Sequence, residues 1–269
     1  MSRTFGIEIE AYDASRGDVA AAIRNAGIHC ICESYSHQTQ SNWKVVTDAS
    51  VPGGFEVVSP ILQGEDGIQQ VIKVMNAIAL VGAKVNKKCG LHVHVGASDL
   101  TIPELKNIAK NYAFFEDFFD GIMPASRRCN NNRYIQSLRS RFGDYSHASA
   151  GRAHAAIDAC TSIDQIVSVL NGGNRYHKLN FVSYWRHGTI EFRQHSGTVD
   201  AEKAVRWINL LMAFVDRAAK SRIRPRALKT LNVAASVVFS QFFQAFQIDA
   251  EQRAYFTARR IAFKTATEE

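Results

Sequence analysis

Along the 269-residue chain, some short stretches alternate apolar and polar residues, while in others the apolar positions recur every three or four residues. Thr4–Tyr12 reads TFGIEIEAY. Phe5, Ile7 and Ile9 alternate with Gly6, Glu8 and Glu10, a two-residue period that predicts a strand with one apolar face. Trp43–Asp48 and Phe55–Ser59 are β-rich, separated by Ala-Ser-Val-Pro-Gly-Gly, a turn by composition. Gly90–Gly96 (GLHVHVG) alternates again. Leu179–Trp185 and Thr189–His195 read as two strands joined at Arg-His-Gly.

The helical period predicts a helix over Asp66–Leu80, where Ile68, Val71, Ile72, Met75 and Ile78 share a face. It predicts another over Thr101–Phe119, which opens on Thr-x-Pro-Glu, a start signal. That segment carries an aromatic stripe (Phe114, Phe115, Phe118, Phe119), and such stripes are more often core than ligand site. Residues 126–173 are polar and rich in Arg and Asn, with short helices expected around 132–141 and 163–170. Asp200–Lys220 is a further helix, and Leu231–Lys264 reads as one or two amphipathic helices.

Strands interleaved with helices, each strand having one polar face, predict an α+β fold: an antiparallel sheet with helices packed behind it. With 5 prolines, no low-complexity tract and no internal repeat, residues 1–269 are expected to form a single domain. The composition, 46% hydrophobic and 21% charged, excludes disordered, collagen-like and coiled-coil classes. No apolar run approaches the ~20 residues that cross a bilayer, so no membrane partner is expected. Two glutamates stand where a signal peptide would need apolar residues, which predicts a cytoplasmic protein. Five cysteines, an odd number, fit a reducing compartment, with Cys30 and Cys32 read as small buried hydrophobes.

Charge divides the chain. Residues 1–126 carry a net −4 and residues 127–269 a net +11, with 17 arginines in the second part. Carboxylates that hold cations beside guanidinium forks that hold phosphates would produce such a division. A nucleic-acid-binding surface is the alternative. It ranks lower, because the arginines are not interleaved with aromatic residues and no reader motif is present.

The polar faces of the strands carry unusual chemistry. Glu8 and Glu10 point to one side of the first strand, His92 and His94 to one side of another, and Glu191, Arg193 and His195 to one side of the last. Glu56 stands between apolar neighbours, and Asp48 precedes the turn that leads to it. One charged strand face is ordinary; four bearing carboxylate or imidazole are not, since like charges on adjacent strands repel. Divalent cations neutralise such a face, and this donor set suits Mg²⁺ or Mn²⁺. Zinc is less apt because no cysteine joins the cluster. Arg193 would then meet phosphate oxygens beside the metal. A metal-dependent hydrolase or phosphotransferase could use the same cluster.

FGIEIE, TDASVPGGFEVVSP, GLHVHVG and YWRHGTIEFRQHSGTVD together resemble the amidoligase branch of the glutamine synthetase-like carboxylate–amine ligases, with glutamate–cysteine ligases as more distant relatives. The motifs run from residue 5 to about 200, leaving a C-terminal helical part over 200–269. The resemblance implies a curved glutamine synthetase-like antiparallel sheet, helices on its convex side, and a site for ATP with Mg²⁺. A substrate carboxylate would take the γ-phosphate, and an amine would displace it to form an amide. By the same resemblance Glu8, Glu10, Glu56, His92 and Glu191 are metal ligands and Arg193 binds phosphate. Tyr176, Asn180 and Arg186 are candidates for contacts with the nucleotide. His94 and Asp48 are candidates for the base that takes the amine's proton. The substrates would be an amino acid, a peptide or a cell-wall precursor. A homo-oligomer is compatible with the resemblance.

Overall fold

The computed structural model describes residues 3–34, 39–48, 51–222 and 235–265. Ala49 and Ser50 of the expected turn, and residues 231–234 of the expected C-terminal helical segment, lie outside them. The chain divides into two compact units. One comprises Met1–Gly96 and His195–Asn209; the other comprises Ala97–Gln194 and Leu210–Glu269. The architecture is mixed α+β, with strand pairing mostly antiparallel.

The first unit is built on strand β1 (Thr4–Ala11). Its apolar residues Phe5, Ile7 and Ile9 are buried, as the alternation requires. On one side β1 pairs antiparallel with β4 (Phe55–Val58), and β4 with β3 (Trp43–Thr47). On the other it pairs antiparallel with β6 (Gly90–Gly96). The short β5 (Leu62–Gln63) covers the start of β1. An additional strand, β2 (Cys30–Cys32), pairs with β3 in parallel and departs from the antiparallel expectation. Within β2, Cys30 is buried as expected, but Cys32 is exposed.

Two helices cover the apolar side of this unit. Helix α1 (Arg16–Asn25) begins at Ser15, whose side chain accepts from the Asp18 N–H. Helix α2 (Gly64–Leu80) buries Ile68, Val71, Val74, Met75 and Ile78. Close approach fixes its seat. A Cβ on Gly67 would stand 3.2 Å from the Phe5 ring and 3.0 Å from Leu62 Cβ, so any side chain there would crowd both neighbours. The Trp43 Nε1–H donates to Gln70 Oε1 at 3.0 Å, tying β3 to the same helix.

The second unit is mostly helical. Helix α3 (Ile102–Gly121) opens with the anticipated start signal. Thr101 and Glu104 form a capping box, with Pro103 in the first turn. Its four stripe phenylalanines are buried. They pack against helix α8 (Ala235–Ala245): Phe118 stacks on Phe242 at 3.6 Å between ring centres, and Phe115 meets Phe246 edge-on. Phe214 of α7 (Ala201–Lys220) meets Phe119 edge-on at 5.3 Å. Helix α3 kinks at Phe115, and the carbonyls of Ala113 and Phe114 just before the kink accept from the Arg139 guanidinium. A side chain thus replaces part of the helical ladder there.

Helices α4 (His147–Ala159), α5 (Ile163–Asn171), α6 (Ser183–His187) and α9 (Ala250–Thr265) complete the unit, with strands β7 (Leu179–Asn180) and β8 (Thr189–Ser196). Two expectations fail here. The segment 132–141 is not helical; it forms turns leading into a short 3₁₀ helix at Arg139–Phe142. The expected strand Leu179–Trp185 ends at Asn180 and turns into α6. The Asn180 side chain accepts the Val182 N–H, and Ser183 Oγ bonds the carbonyls of Asn180 and Thr189, closing the turn early. Among the described residues no helix is long and apolar enough to cross a membrane.

His154 links α4 to α3 through a hydrogen bond from its ring Nε2 to the Lys110 carbonyl, and is buried. Burial holds its pKa down, to about 4. The folded chain therefore binds fewer protons than the unfolded chain below pH 6.5, and stability falls as pH drops from about 6.5 toward 4. The loss should reach about 3 kcal/mol at most. A His154→Gln variant keeps the donor but does not titrate. Denaturant unfolding across this range should show the wild type losing more stability than the variant; parallel curves would refute the assignment.

Candidate functional site

In the first unit, strand register brings the polar residues together. Antiparallel pairing sets Glu8 opposite His92, Gly6 opposite His94, and Glu10 opposite Glu56. Directly paired residues point to the same side of a sheet. One face of β1, β4 and β6 therefore carries three carboxylates and two imidazoles. The opposite face carries Ile7, Ile9, Val57 and Val93, all buried.

The contacts are close. His92 Nδ1 lies 3.0 Å from Glu8 Oε2, and this ring N–H donates to the carboxylate. His94 Nε2 stands 3.4 Å from the other Glu8 oxygen. His92 Nε2 is 3.7 Å from Glu10 Oε1, longer than a hydrogen bond. Glu10 is fixed instead by the Gly90 N–H, which donates to its Oε2 at 2.6 Å. Burial would raise the Glu8 pKa, but hydrogen bonds and charge from His92 and His94 outweigh it and hold the carboxyl well below its usual value. Glu8 therefore presents an anionic oxygen pair across the neutral pH range.

Glu8, Glu56 and His92 each offer a ligand atom, and these atoms lie within 4.8 Å of one another. Two carboxylates and an imidazole at that spacing fit a divalent cation of the Mg²⁺ or Mn²⁺ type. His92 and Glu10 are buried, whereas Glu8, Glu56 and His94 are half-buried. The polar face is thus not the solvated surface that strand alternation alone suggests.

Gly90 is needed for this arrangement. A Cβ there would stand 2.8 Å from His92 Nε2 and 3.4 Å from Glu10 Oε2. Asp48 is half-buried just past the end of β3, its N–H directed at the Gly54 carbonyl at 3.5 Å.

The second unit holds the remaining candidates. β7 and β8 pair antiparallel with Asn180 opposite Glu191. Asn180 Nδ2 donates to Glu191 Oε2 at 2.6 Å, and the Arg193 guanidinium donates to Glu191 Oε1. All three side chains are buried. The carboxylate is held by an amide on one oxygen and a guanidinium on the other. Tyr176 is half-buried four residues before Asn180, and Arg186 is exposed on α6. His195, which ends the polar face of β8, is buried against Trp207 in the first unit, and its Nδ1–H donates to the Ser196 carbonyl.

A buried charge network, not foreseen from sequence, anchors this strand pair. Lys178 precedes β7 and is fully buried; its Nζ lies 2.7 Å from Asp120 Oδ1 and 3.4 Å from Glu116 Oε1. Asp120 also accepts from the Gln194 and Tyr145 side chains and from the Cys129 N–H. Burial and the neighbouring carboxylates push the Tyr145 phenol far up, so it remains a donor. Arg139 completes the set, 2.9 Å from Asp117. Lys178 and Gln194 flank the strand residues Asn180 and Arg193. The network thus pins both strands from the side of α3.

Two substitutions test these arrangements. Gly90→Ala should push His92 off its position and lower Mn²⁺ affinity by about tenfold or more in calorimetric titration. Lys178→Ala removes the buried cation that Glu116 and Asp120 share, leaving Glu116 with Arg139 at 4.0 Å, and should cost about 3–5 kcal/mol in denaturant unfolding. Unchanged Mn²⁺ affinity in the first, or unchanged stability in the second, would contradict the roles given.

Among curated proteins nothing matches the chain. A protein-family model described as "putative amidoligase enzyme" matches residues 1–215. This span contains β1, β4, β6 and β8 with all of their acidic and imidazole residues. The chain belongs to the amidoligase family.

Proposed function

We propose that the protein is an ATP- and Mg²⁺-dependent carboxylate–amine ligase with a glutamine synthetase-like sheet. The observation that carries this reading is the Glu8–Glu56–His92 donor set on the buried polar face of a chain in the amidoligase family. ATP with Mg²⁺ would supply the phosphoryl group that converts the substrate carboxylate to an acyl phosphate, which the amine then displaces.

The chain's own residues divide the work. Glu8, Glu56 and His92 bind the cation, with Glu10 as a further ligand; Glu191 is assigned to metal by motif position alone. Ionised Glu8 needs no deprotonation before it binds. Gly90 holds Glu10 and leaves room for the His92 ring. Asn180 and Arg193 orient Glu191, and Arg193 turns to phosphate oxygens as charge develops on them. A guanidinium that already holds a carboxylate needs little reorganisation to do so. The attacking amine must lose a proton. His94 is the better placed of the two candidate bases: it sits beside Glu8 on the polar face, whereas Asp48 lies beyond the end of β3. Tyr176 and Arg186 are assigned to the nucleotide by motif position alone.

The deciding experiment is ADP release from ATP, with pooled amino acids as carboxylate and amine donors. Release should require Mg²⁺, rise with particular amino acids, and fall to background in Glu8→Ala and Glu191→Ala. Normal turnover in either variant would refute the ligand assignment. ADP release indifferent to any amine would favour a phosphotransferase or hydrolase. Absence of ATP binding by calorimetry would sink the ligase reading.

A further inference from the structure

The buried network around Lys178 holds the parts of a condensation reaction that the ligase reading does not use. Lys178 and Glu116 are fully buried, and Asp120 is nearly so. Two carboxylates adjoin the Lys178 Nζ, with Asp120 Oδ1 at 2.7 Å and Glu116 Oε1 at 3.4 Å. The two acids are held differently. Both Asp120 oxygens accept from neutral donors: Oδ1 from the Gln194 amide, and Oδ2 from the Tyr145 hydroxyl and from the Cys129 N–H at 2.7 Å. Glu116 accepts instead from the Leu138 and Arg139 N–H groups, at 3.1 and 3.2 Å.

An amide-forming reaction needs three groups together, and this pocket has them. Lys178 supplies a nucleophilic nitrogen, Asp120 a carbonyl carbon whose oxygens meet hydrogen-bond donors, and Glu116 a second carboxylate to carry the proton. The donors are themselves fixed. Gln194 Oε1 accepts from the Tyr112 hydroxyl at 3.3 Å, and its Nε2 also donates to the Arg127 carbonyl at 3.0 Å, so the amide keeps its orientation. Burial and nearby acids push the Tyr145 phenol far up, and it remains a donor. The pocket also favours the product. A buried ion pair carries a desolvation cost that its attraction offsets poorly, whereas a neutral amide in the same place has no charge to desolvate.

We propose that Lys178 and Asp120 become joined by an intramolecular isopeptide bond, which the folded chain forms on itself. Glu116 takes a proton from the Lys178 ammonium, and the neutral Nζ attacks Asp120 Cγ to form the C–N bond. Gln194 stabilises the negative charge that collects on Oδ1. The bond from Cγ to Oδ2 then breaks, with Tyr145 and Cys129 donating to the departing oxygen. Two of the three ammonium protons leave on that oxygen as water, one of them by way of Glu116, and the third stays on the amide nitrogen. One ammonium and one carboxylate are consumed, so net charge is conserved and no oxidant, metal or nucleotide is required. The bond closes a loop across 58 residues and ties α3 to the segment that enters β7. It does not rest on the proposed function.

The test is intact-mass spectrometry of the purified full chain under denaturing conditions, after incubation at neutral pH. The wild type should weigh one water less than its sequence, and trypsin should release one branched peptide that contains both Asp120 and Lys178. Asp120→Ala should keep its full sequence mass. Asp120→Asn should reach the same final mass as the joined wild type, because ammonia leaves in place of water. Glu116→Gln still accepts the Leu138 N–H but takes no proton, and it should remain at full sequence mass while unfolding cooperatively. A wild-type chain of full sequence mass would overturn the bond, whatever the variants do. So would a loss of water confined to a single unbranched peptide. Complete joining in Glu116→Gln would overturn the proton transfer assigned to Glu116. None of these readouts involves ATP, so they stand or fall apart from the ligase reading.

Discussion

The register of β1 is the constraint on which the first unit depends. Ile7 and Ile9 must face the core, so Glu8 and Glu10 face the other way, and a slip of one residue would exchange the two sets. The antiparallel partners are locked to the same register. Glu8 therefore meets His92, and Glu10 meets Glu56. Hydrophobic burial on one side of the sheet thus sets the positions of carboxylates and imidazoles on the other. It also concentrates negative charge, which two histidines and a glycine N–H partly offset. The proposed cation site rests on that imbalance.

The second unit solves a different problem. Strand β8 brings Glu191 and Arg193 into a buried setting, where an unpaired charge would be costly. Each group is paired: Glu191 by Asn180 and Arg193, and Lys178 by Asp120 and Glu116. The acids Glu116 and Asp120 come from α3, whose neighbouring positions are phenylalanines packed on α8. One helix thus supplies both the aromatic core and the anions that anchor the strand pair. Residues 216–269 lie beyond the family match, yet Phe239, Phe242 and Phe246 belong to that core. The C-terminal helices are structurally integral to the unit.

Much of this was legible from local pattern. Strand β6 has the bounds that its alternation predicted, and α3 opens at Thr101 with the signalled capping box. The four stripe phenylalanines are core. Helix α1 escaped notice although Ser15 and Asp18 mark its start, because its alanine-rich face has weak periodicity. Helix α4 left a fainter signal. Its small and polar residues are held by α3 lysines, with Lys110 2.7 Å from Asp158 and Lys106 bonded to two carbonyls. The strand expected over Leu179–Trp185 failed because side chains of Asn180 and Ser183 close a turn that a hydrophobicity pattern does not register.

Period and residue type by themselves indicated which side of each strand would be polar and which acids and histidines would lie there, because a two-residue period ties face to position. Motif order indicated the family. Neither indicated that Glu8 lies opposite His92, that a Cβ at Gly90 would strike the His92 ring, or that Lys178 is buried among acids from a helix 58 residues away. These are contacts between segments remote in sequence. They depend on which strands become neighbours and in what register, a choice made by burial summed over the packed unit.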